Sequence, residues 1–155
     1  MATYYLDTSA IVKGYSPETG SKWVESLIDP MEGHIILLSE ISLVEMAAAL
    51  AAKSRAPGGP SIAERDRVLS RFLQDCDEQY QLLGVGRDVI DLAVQLTQRQ
   101  RLRGCDAVQL ASAFILNQAL LAQGLPPLVF VCADEGLLTA AQNEGFSTEN
   151  PNWHP

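Results

Sequence analysis

Short runs of β-branched, aromatic and aliphatic residues recur along this chain, and each is followed by a segment long enough for at least one helix. These runs are typical of short strands, and they cover residues 3–6, 35–38, 79–85, 128–131 and, as an edge strand, 146–148. Strands that alternate with helices favour a mostly parallel sheet with helices on both faces. The sequence therefore predicts a three-layer α/β/α fold.

The intervening segments carry helical periodicity and helix start and stop signals. Helices are predicted over residues 16–28, 40–53 and 87–103, with others following the loop at 55–61, opening at 104–106 and following residue 134. The second of these is apolar almost all round, which predicts an interior helix, and Glu45 is its only interior charge. The loop at 55–61 is too short to separate two domains, so we expect one domain over residues 1–155.

Charge and cysteine content narrow the classes of function. The net charge of −8 argues against non-specific coating of nucleic acid, which relies on a basic surface. It does not exclude a nucleic-acid enzyme, because clustered carboxylates repel phosphate only until divalent cations bind them. Three widely spaced cysteines fit neither a zinc knuckle nor a disulfide scaffold, and they indicate the reducing cytoplasm. No apolar run predicts a membrane span.

Two acidic residues follow predicted strands. Asp7 comes directly after the first strand, and Asp134 comes three residues after the fourth. If these two strands are neighbours, both carboxylates lie in the crevice beyond the strand ends, where open α/β sheets bind ligands. Asp106 begins one largely apolar helix and Glu45 lies inside another. We therefore expect the four carboxylates to converge.

Each of these acids also has an ordinary structural interpretation. Asp7, Asp106 and Asp134 are of a type favoured at helix N-caps. Glu45 can instead face solvent or pair with a Lys or Arg, since a buried carboxylate without a partner is costly. One shared site accounts for all four acids more simply than four separate structural causes do.

A site of oxygen ligands without His or Cys favours Mg²⁺ or Mn²⁺ over zinc. Cations held there would activate a water and neutralise the charge that develops on a phosphodiester during in-line attack. Thr8 and Ser9 are candidates to orient a metal-bound water or a phosphate oxygen, with capping of the turn as the alternative.

Four segments in this order resemble the PIN-domain ribonucleases: LDTSA at 6–10, SEISLVE at 39–45, CDAVQLASA at 105–113 and ADEGLL at 133–138. The small single-domain size is most similar to the VapC-type toxins of that family. Each segment alone is a weak signal, but the ordered set is fairly specific and spans nearly the whole chain.

The resemblance implies a Mg²⁺- or Mn²⁺-dependent endoribonuclease that acts as the toxin of a type II toxin–antitoxin pair. Position by position, it assigns Asp7, Glu45, Asp106 and Asp134 as the catalytic and metal-binding residues. It also implies an RNA substrate, a cognate antitoxin that blocks the cleft, and commonly a homodimer. Cys132 is a departure, because the family often has Thr or Ser two residues before the last acid.

Substrate contacts and the class of function keep alternatives at this stage. Arg99, Arg101 and Arg103 are candidates to contact RNA phosphates, or are solvated charges near a helix end. Lys13 is a further candidate at the cleft mouth. The runner-up function is a PIN-like RNA- or protein-binding module without turnover. A phosphatase of the haloacid-dehalogenase kind is disfavoured, because Ser9 stands where its second Asp would be.

Overall fold

The computed structural model describes all residues 1–155 and contains five strands, seven α-helices and three 3-10 turns. The strands are β1 (Thr3–Leu6), β2 (Ile35–Ser39), β3 (Gln81–Leu83), β4 (Val129–Val131) and β5 (Ser147–Glu149). The helices are α1 (Thr8–Ile11), α2 (Ser21–Ile28), α3 (Ile41–Arg55), α4 (Ile62–Glu78), α5 (Arg87–Arg99), α6 (Gly104–Ala122) and α7 (Glu135–Asn143). The 3-10 turns are Val12–Gly14, Pro30–Glu32 and Pro151–Trp153.

All five strands are parallel, in the order β3-β2-β1-β4-β5. The chain builds outward from β1 through β2 to β3, and then returns to add β4 and β5 on the other side of β1. This reversal places a topological switch point between β1 and β4, where Leu6 is paired with Val131. The prediction of a three-layer α/β/α fold is confirmed, and the sheet is wholly rather than mostly parallel.

Both faces of the sheet are covered, as an all-parallel sheet requires. Alternation along β1 sends Tyr5 into one core of 17 buried residues, shared with α5, α6 and α7. The next residue, Leu6, enters a second core of 14 buried residues, shared with α1 to α4. The Tyr5 ring stacks on Phe130 of β4 with 5.5 Å between ring centroids. Burying a side chain of this size stabilises the fold by about 1.5–3 kcal/mol.

Three helix predictions need correction. Helix α5 ends at Arg99 rather than at residue 103, so Arg101 and Arg103 lie in the segment between α5 and α6. Helix α2 begins at Ser21 rather than at residue 16, because Gly20 has a φ of 85°, a left-handed conformation that precedes the helix. A Cβ at Gly20 would also lie 2.3 Å from the Pro151 carbonyl oxygen. Helix α3 is not interior all round, since Val44 is 67% exposed. The many alanines of α3 made its outer face look apolar.

Helix α6 is the one helix whose length and mean hydropathy, 1.3 over 18 residues, would suit a membrane span. Its residues 107–113 are all buried, and the apolar ones among them belong to the first core, against the sheet and α5. The core helices of globular domains have this same composition, so α6 is weak evidence for a membrane span.

Candidate active site

The four predicted carboxylates come from four different elements and are electrostatically coupled. Asp7 follows β1 directly, Asp134 precedes α7, Asp106 is in the first turn of α6, and Glu45 is in the second turn of α3. Burial raises the pKa of Asp106, and the nearby charges of Asp134 and Glu45 raise it further. Asp106 in turn helps to raise the pKa of Asp7. Asp106 therefore lies within electrostatic range of the other three predicted acids.

Asp7 is the buried member of this group, at 5% exposure. Its Oδ1 accepts hydrogen bonds from Ser9 Oγ at 2.7 Å and from the Ala10 N–H at 3.1 Å, so it does cap α1. Burial raises the pKa of Asp7 to about 6, although hydrogen bonds from Ser9, Cys132 and Ala10 oppose this change. No Lys, Arg or His pairs with this carboxylate.

Glu45 is partly buried and makes no ion pair, so the alternative of a Lys or Arg partner is wrong. Its Oε1 accepts a hydrogen bond from Thr8 Oγ1 at 2.9 Å and from Gln109 Nε2 at 2.8 Å. Its Oε2 has no hydrogen-bond partner. The side chain is therefore held by neutral donors, and no cationic side chain pairs with it.

Asp134 and Asp106 are more exposed than Asp7. Asp134 caps α7, because its Oδ1 accepts the Leu137 N–H at 2.9 Å. Asp106 is the third residue of α6 and makes no capping hydrogen bond, so the N-cap interpretation is wrong for this residue. Its one charged partner is Arg103, whose Nε lies 3.7 Å from Asp106 Oδ2 and lowers the pKa against the effect of burial.

Thr8, Ser9 and Cys132 support the carboxylates. Ser9 Oγ, which donates to Asp7, also accepts the Ala133 N–H at 3.0 Å and so ties the end of β1 to the end of β4. Cys132 Sγ lies 3.4 Å from Asp7 Oδ2 and accepts the Asp134 N–H at 3.3 Å. Burial raises the pKa of the Cys132 thiol, which keeps it protonated and able to face a carboxylate. The thiol thus occupies the place of the expected hydroxyl and contacts two of the acids.

The donor set fits a hard divalent cation. It consists of carboxylate oxygens, and the one cation beside them is Arg103. Asp7, Glu45 and Asp134 each keep one oxygen that accepts no N–H or O–H hydrogen bond. Helix capping therefore does not compete with metal binding. No three acidic, His or Cys side chains stand close enough together to form a ready-made metal site. A bound cation would have to draw the carboxylates inward.

A cleft of about 350 Å³ opens over two of these acids, and Arg101 and Arg103 line it together with Asp106 and Asp134. The third arginine, Arg99, is not available there, because its Nη2 binds Glu144 Oε1 at 2.6 Å.

The prediction that Lys13 lies at the cleft mouth is wrong, because its side chain is buried. Its Nζ forms an ion pair with Glu18 at 3.1 Å. The position of Lys13 shortly after Asp7 in the sequence did not determine where its side chain lies.

Two buried polar residues of the site, Gln109 and Ser42, were missed by the sequence reasoning. Gln109 Nε2 lies 3.1 Å from Ser42 Oγ, and both residues are fully buried beside Glu45 and Thr8. A signal was present, because Gln109 is a lone amide in an apolar stretch and comes three residues after Asp106, on the same helix face.

The chain is similar to known proteins over most of its length. The PIN domain family matches residues 4–124. "Ribonuclease VapC49" of Mycobacterium tuberculosis is 33% identical over 152 residues, which cover 94% of this chain and 93% of that protein.

Solved structures share the fold. A chain in the structure of FitAB bound to the IR36 DNA fragment has a TM-score of 0.64 at 21% identity, with 98% of this chain and 96% of that chain covered. A chain in a toxin–antitoxin complex from Klebsiella pneumoniae has a TM-score of 0.61 at 16% identity, with 96% and 97% covered. The match to the family over most of the chain confirms the resemblance seen in the sequence. This chain belongs to the PIN-domain family.

Proposed function

We propose that this protein is a metal-dependent endoribonuclease and the toxin of a toxin–antitoxin pair. The observation that carries the proposal is the electrostatic coupling of four carboxylates near the switch point of the sheet, with Arg103 as the one cation paired with any of them. The relative named "Ribonuclease VapC49", which matches over nearly the full length of both chains, supports ribonuclease activity.

Asp7, Glu45, Asp106 and Asp134 would hold one or two Mg²⁺ or Mn²⁺ ions. Such an ion supplies a water of lowered pKa and positive charge against the phosphodiester. The protein itself orients these carboxylates by binding one oxygen of each. Ser9 donates to Asp7, Thr8 donates to Glu45, and a backbone N–H donates to Asp134. The other oxygens are left to face the ion or to accept the proton of the attacking water, and of these Asp7 Oδ2 is contacted by the Cys132 thiol. Neither histidine is a candidate base.

Both histidines lie among other contacts. His34 accepts the Ala2 N–H and packs against Tyr4, while His154 stacks on Trp23. General-base catalysis therefore falls to the carboxylates.

The arginines of the cleft suit an RNA strand. Arg101 and Arg103 are exposed and lie beside Asp106 and Asp134, so a phosphate bound by the guanidinium groups would place its neighbour near the acids.

Replacing Arg101 by Gln is expected to weaken RNA binding and to reduce its salt dependence, because one phosphate contact is lost. The matched control is Arg99→Gln, which removes the same charge two residues away but breaks the Glu144 ion pair. That control should lower thermal stability and leave RNA affinity unchanged. Fluorescence anisotropy at several salt concentrations measures the first effect, and equal losses of affinity in both variants would count against a specific role of Arg101.

The partner proposals are a cognate antitoxin and a second copy of this chain. The toxin–antitoxin complex among the structural neighbours supports the first, and the net charge of −8 suits a basic antitoxin segment. We place the protein in the cytoplasm, where such pairs act on cellular RNA.

The proposal is tested with partner-free protein and a mixed pool of structured RNAs. We expect cleavage with Mg²⁺ or Mn²⁺ and none with EDTA. The second candidate function, a binding module without turnover, is favoured by the lack of three carboxylates already gathered into a metal site. Well-folded protein that binds the pool but never cleaves it would support that second function instead.

A further inference from the structure

We propose that Gln109, held in place by Tyr5, is a positioning residue that fixes Glu45 and Thr8 for metal binding. This inference rests on the proposed function, because it concerns the same site. It adds two residues outside the four carboxylates, one on the central strand and one on helix α6.

Gln109 is 2% exposed and joins several elements. Its Nε2 lies 2.8 Å from Glu45 Oε1, 3.1 Å from Thr8 Oγ1 and 3.1 Å from Ser42 Oγ. An amide has two N–H groups, so three acceptors share them. Gln109 thus connects α6 to α3 and to the start of α1.

Tyr5 determines which way the amide points. An ionised carboxylate only accepts hydrogen bonds, so the Gln109 nitrogen must face Glu45 and the Gln109 oxygen must face the opposite side. There the Tyr5 hydroxyl donates to Gln109 Oε1 at 2.5 Å. The Tyr5 side chain is fully buried, and its phenol hydroxyl can donate a hydrogen bond.

The neutrality of Gln109 matters for a cation site. A Lys or Arg at this position would hold Glu45 equally well, but it would cancel the charge that attracts a metal ion. The amide instead restrains Oε1 and leaves both the charge of Glu45 and its Oε2 available. Groups that orient a ligand in this way commonly change metal affinity by 10- to 100-fold when they are removed.

The test measures Mn²⁺ binding by electron paramagnetic resonance, which needs no RNA and no turnover. Gln109→Met keeps the size and apolar packing of the side chain but removes the amide, so we expect a loss of Mn²⁺ affinity of about tenfold or more. Tyr5→Phe should give a smaller loss, roughly two- to fivefold, because it removes only the bond that orients the amide. RNA cleavage by both variants should recover at high Mn²⁺ concentration.

The matched control is Asn117→Ala, in another amide of α6 that is bonded to the protein frame. Its Oδ1 accepts the Leu128 N–H at 3.0 Å, so its loss destabilises the helix contact without touching a carboxylate. We expect unchanged Mn²⁺ affinity there. A second test places Gln109→Met in a Glu45→Gln background, where no further loss is expected because the group it positions is already neutral.

The outcomes separate this inference from the proposed function. If Gln109→Met and Tyr5→Phe both bind Mn²⁺ as tightly as the wild-type protein, Gln109 is not a positioning residue. That result would leave the proposed function intact. A full additional loss in the Glu45→Gln background would show that Gln109 does not act through Glu45. Wild-type protein that neither binds Mn²⁺ nor cleaves RNA would overturn the proposed function and this inference with it.

Discussion

Asp106→Asn is expected to abolish metal-dependent RNA cleavage while leaving the fold unchanged. Asp106 is the centre of the electrostatic coupling among the carboxylates, since Asp134 and Glu45 both raise its pKa and it raises that of Asp7. Removing its charge would deprive a bound ion of the one proposed ligand that is coupled to all three other acids. The contribution of a metal ion to phosphodiester hydrolysis is several kcal/mol, so we expect a fall in rate on the order of 10³-fold or more.

The fold should tolerate this change because Asp106 does little structural work. It caps no helix, and its single charged partner is Arg103 at 3.7 Å on the exposed side of the cleft. Circular dichroism and thermal unfolding check the fold, and single-turnover cleavage of the RNA pool checks the rate. Asp88→Asn is the matched control, because Asp88 is likewise an acid in the first turn of a helix but lies on α5. Full cleavage by Asp106→Asn would remove this residue from the site.

The sequence predicted the layers because each strand is a short apolar run bounded by turn residues, and this pattern does not depend on tertiary contacts. It predicted that Asp7 and Asp134 lie at the same edge of the sheet only on the condition that β1 and β4 are neighbours, which strand order decides. The role of Gln109 depends on the rotation of α6 relative to α3, which no local pattern specifies. The start of α2 depended on the close approach of Gly20 to Pro151, a contact distant in sequence.

The same reasoning explains why single acids were ambiguous. Asp7 and Asp134 are N-caps, as the structural interpretation held, and they also remain candidates for metal binding. A cap uses one carboxylate oxygen, and the second oxygen is free to do something else. Only the positions of all four acids together separate an ordinary cap from a site, and those positions come from the fold.

Asp7→Asn is expected to stabilise the metal-free protein at pH 7, by up to roughly 3 kcal/mol, although it should abolish cleavage as Asp106→Asn does. Burial raises the pKa of Asp7 from its ordinary value of 3.8 to about 6, so the folded state resists ionisation of this group. Asn keeps the acceptor for Ser9 and Ala10 but carries no charge, and it therefore removes the cost of a buried carboxylate without a cation.

The pH dependence follows from the same pKa change. Between pH 3.8 and about 6 the folded state binds more protons than the unfolded state at Asp7, so ionisation of this group lowers stability as the pH rises through that range. The cost is absent below pH 3.8 and complete above about pH 6. Other groups titrate nearby, with the pKa of Asp106 raised and those of Glu18 and Glu144 lowered, so the difference between variant and wild type is the quantity to measure.

Chemical denaturation in EDTA at a series of pH values gives this difference directly. We expect the two proteins to be equally stable near pH 3.5 and the variant to be the more stable one from pH 6 upward. Adding Mg²⁺ or Mn²⁺ should reverse the order, because an ion bound by Asp7 stabilises only the wild-type protein. Asp29→Asn is the control, since Asp29 is an exposed carboxylate that also caps a 3-10 turn. If the variant is less stable than wild type in EDTA at pH 7, the charge of Asp7 stabilises the fold. Asp7 would then have a structural role, which is not expected of a metal ligand whose charge no cation compensates.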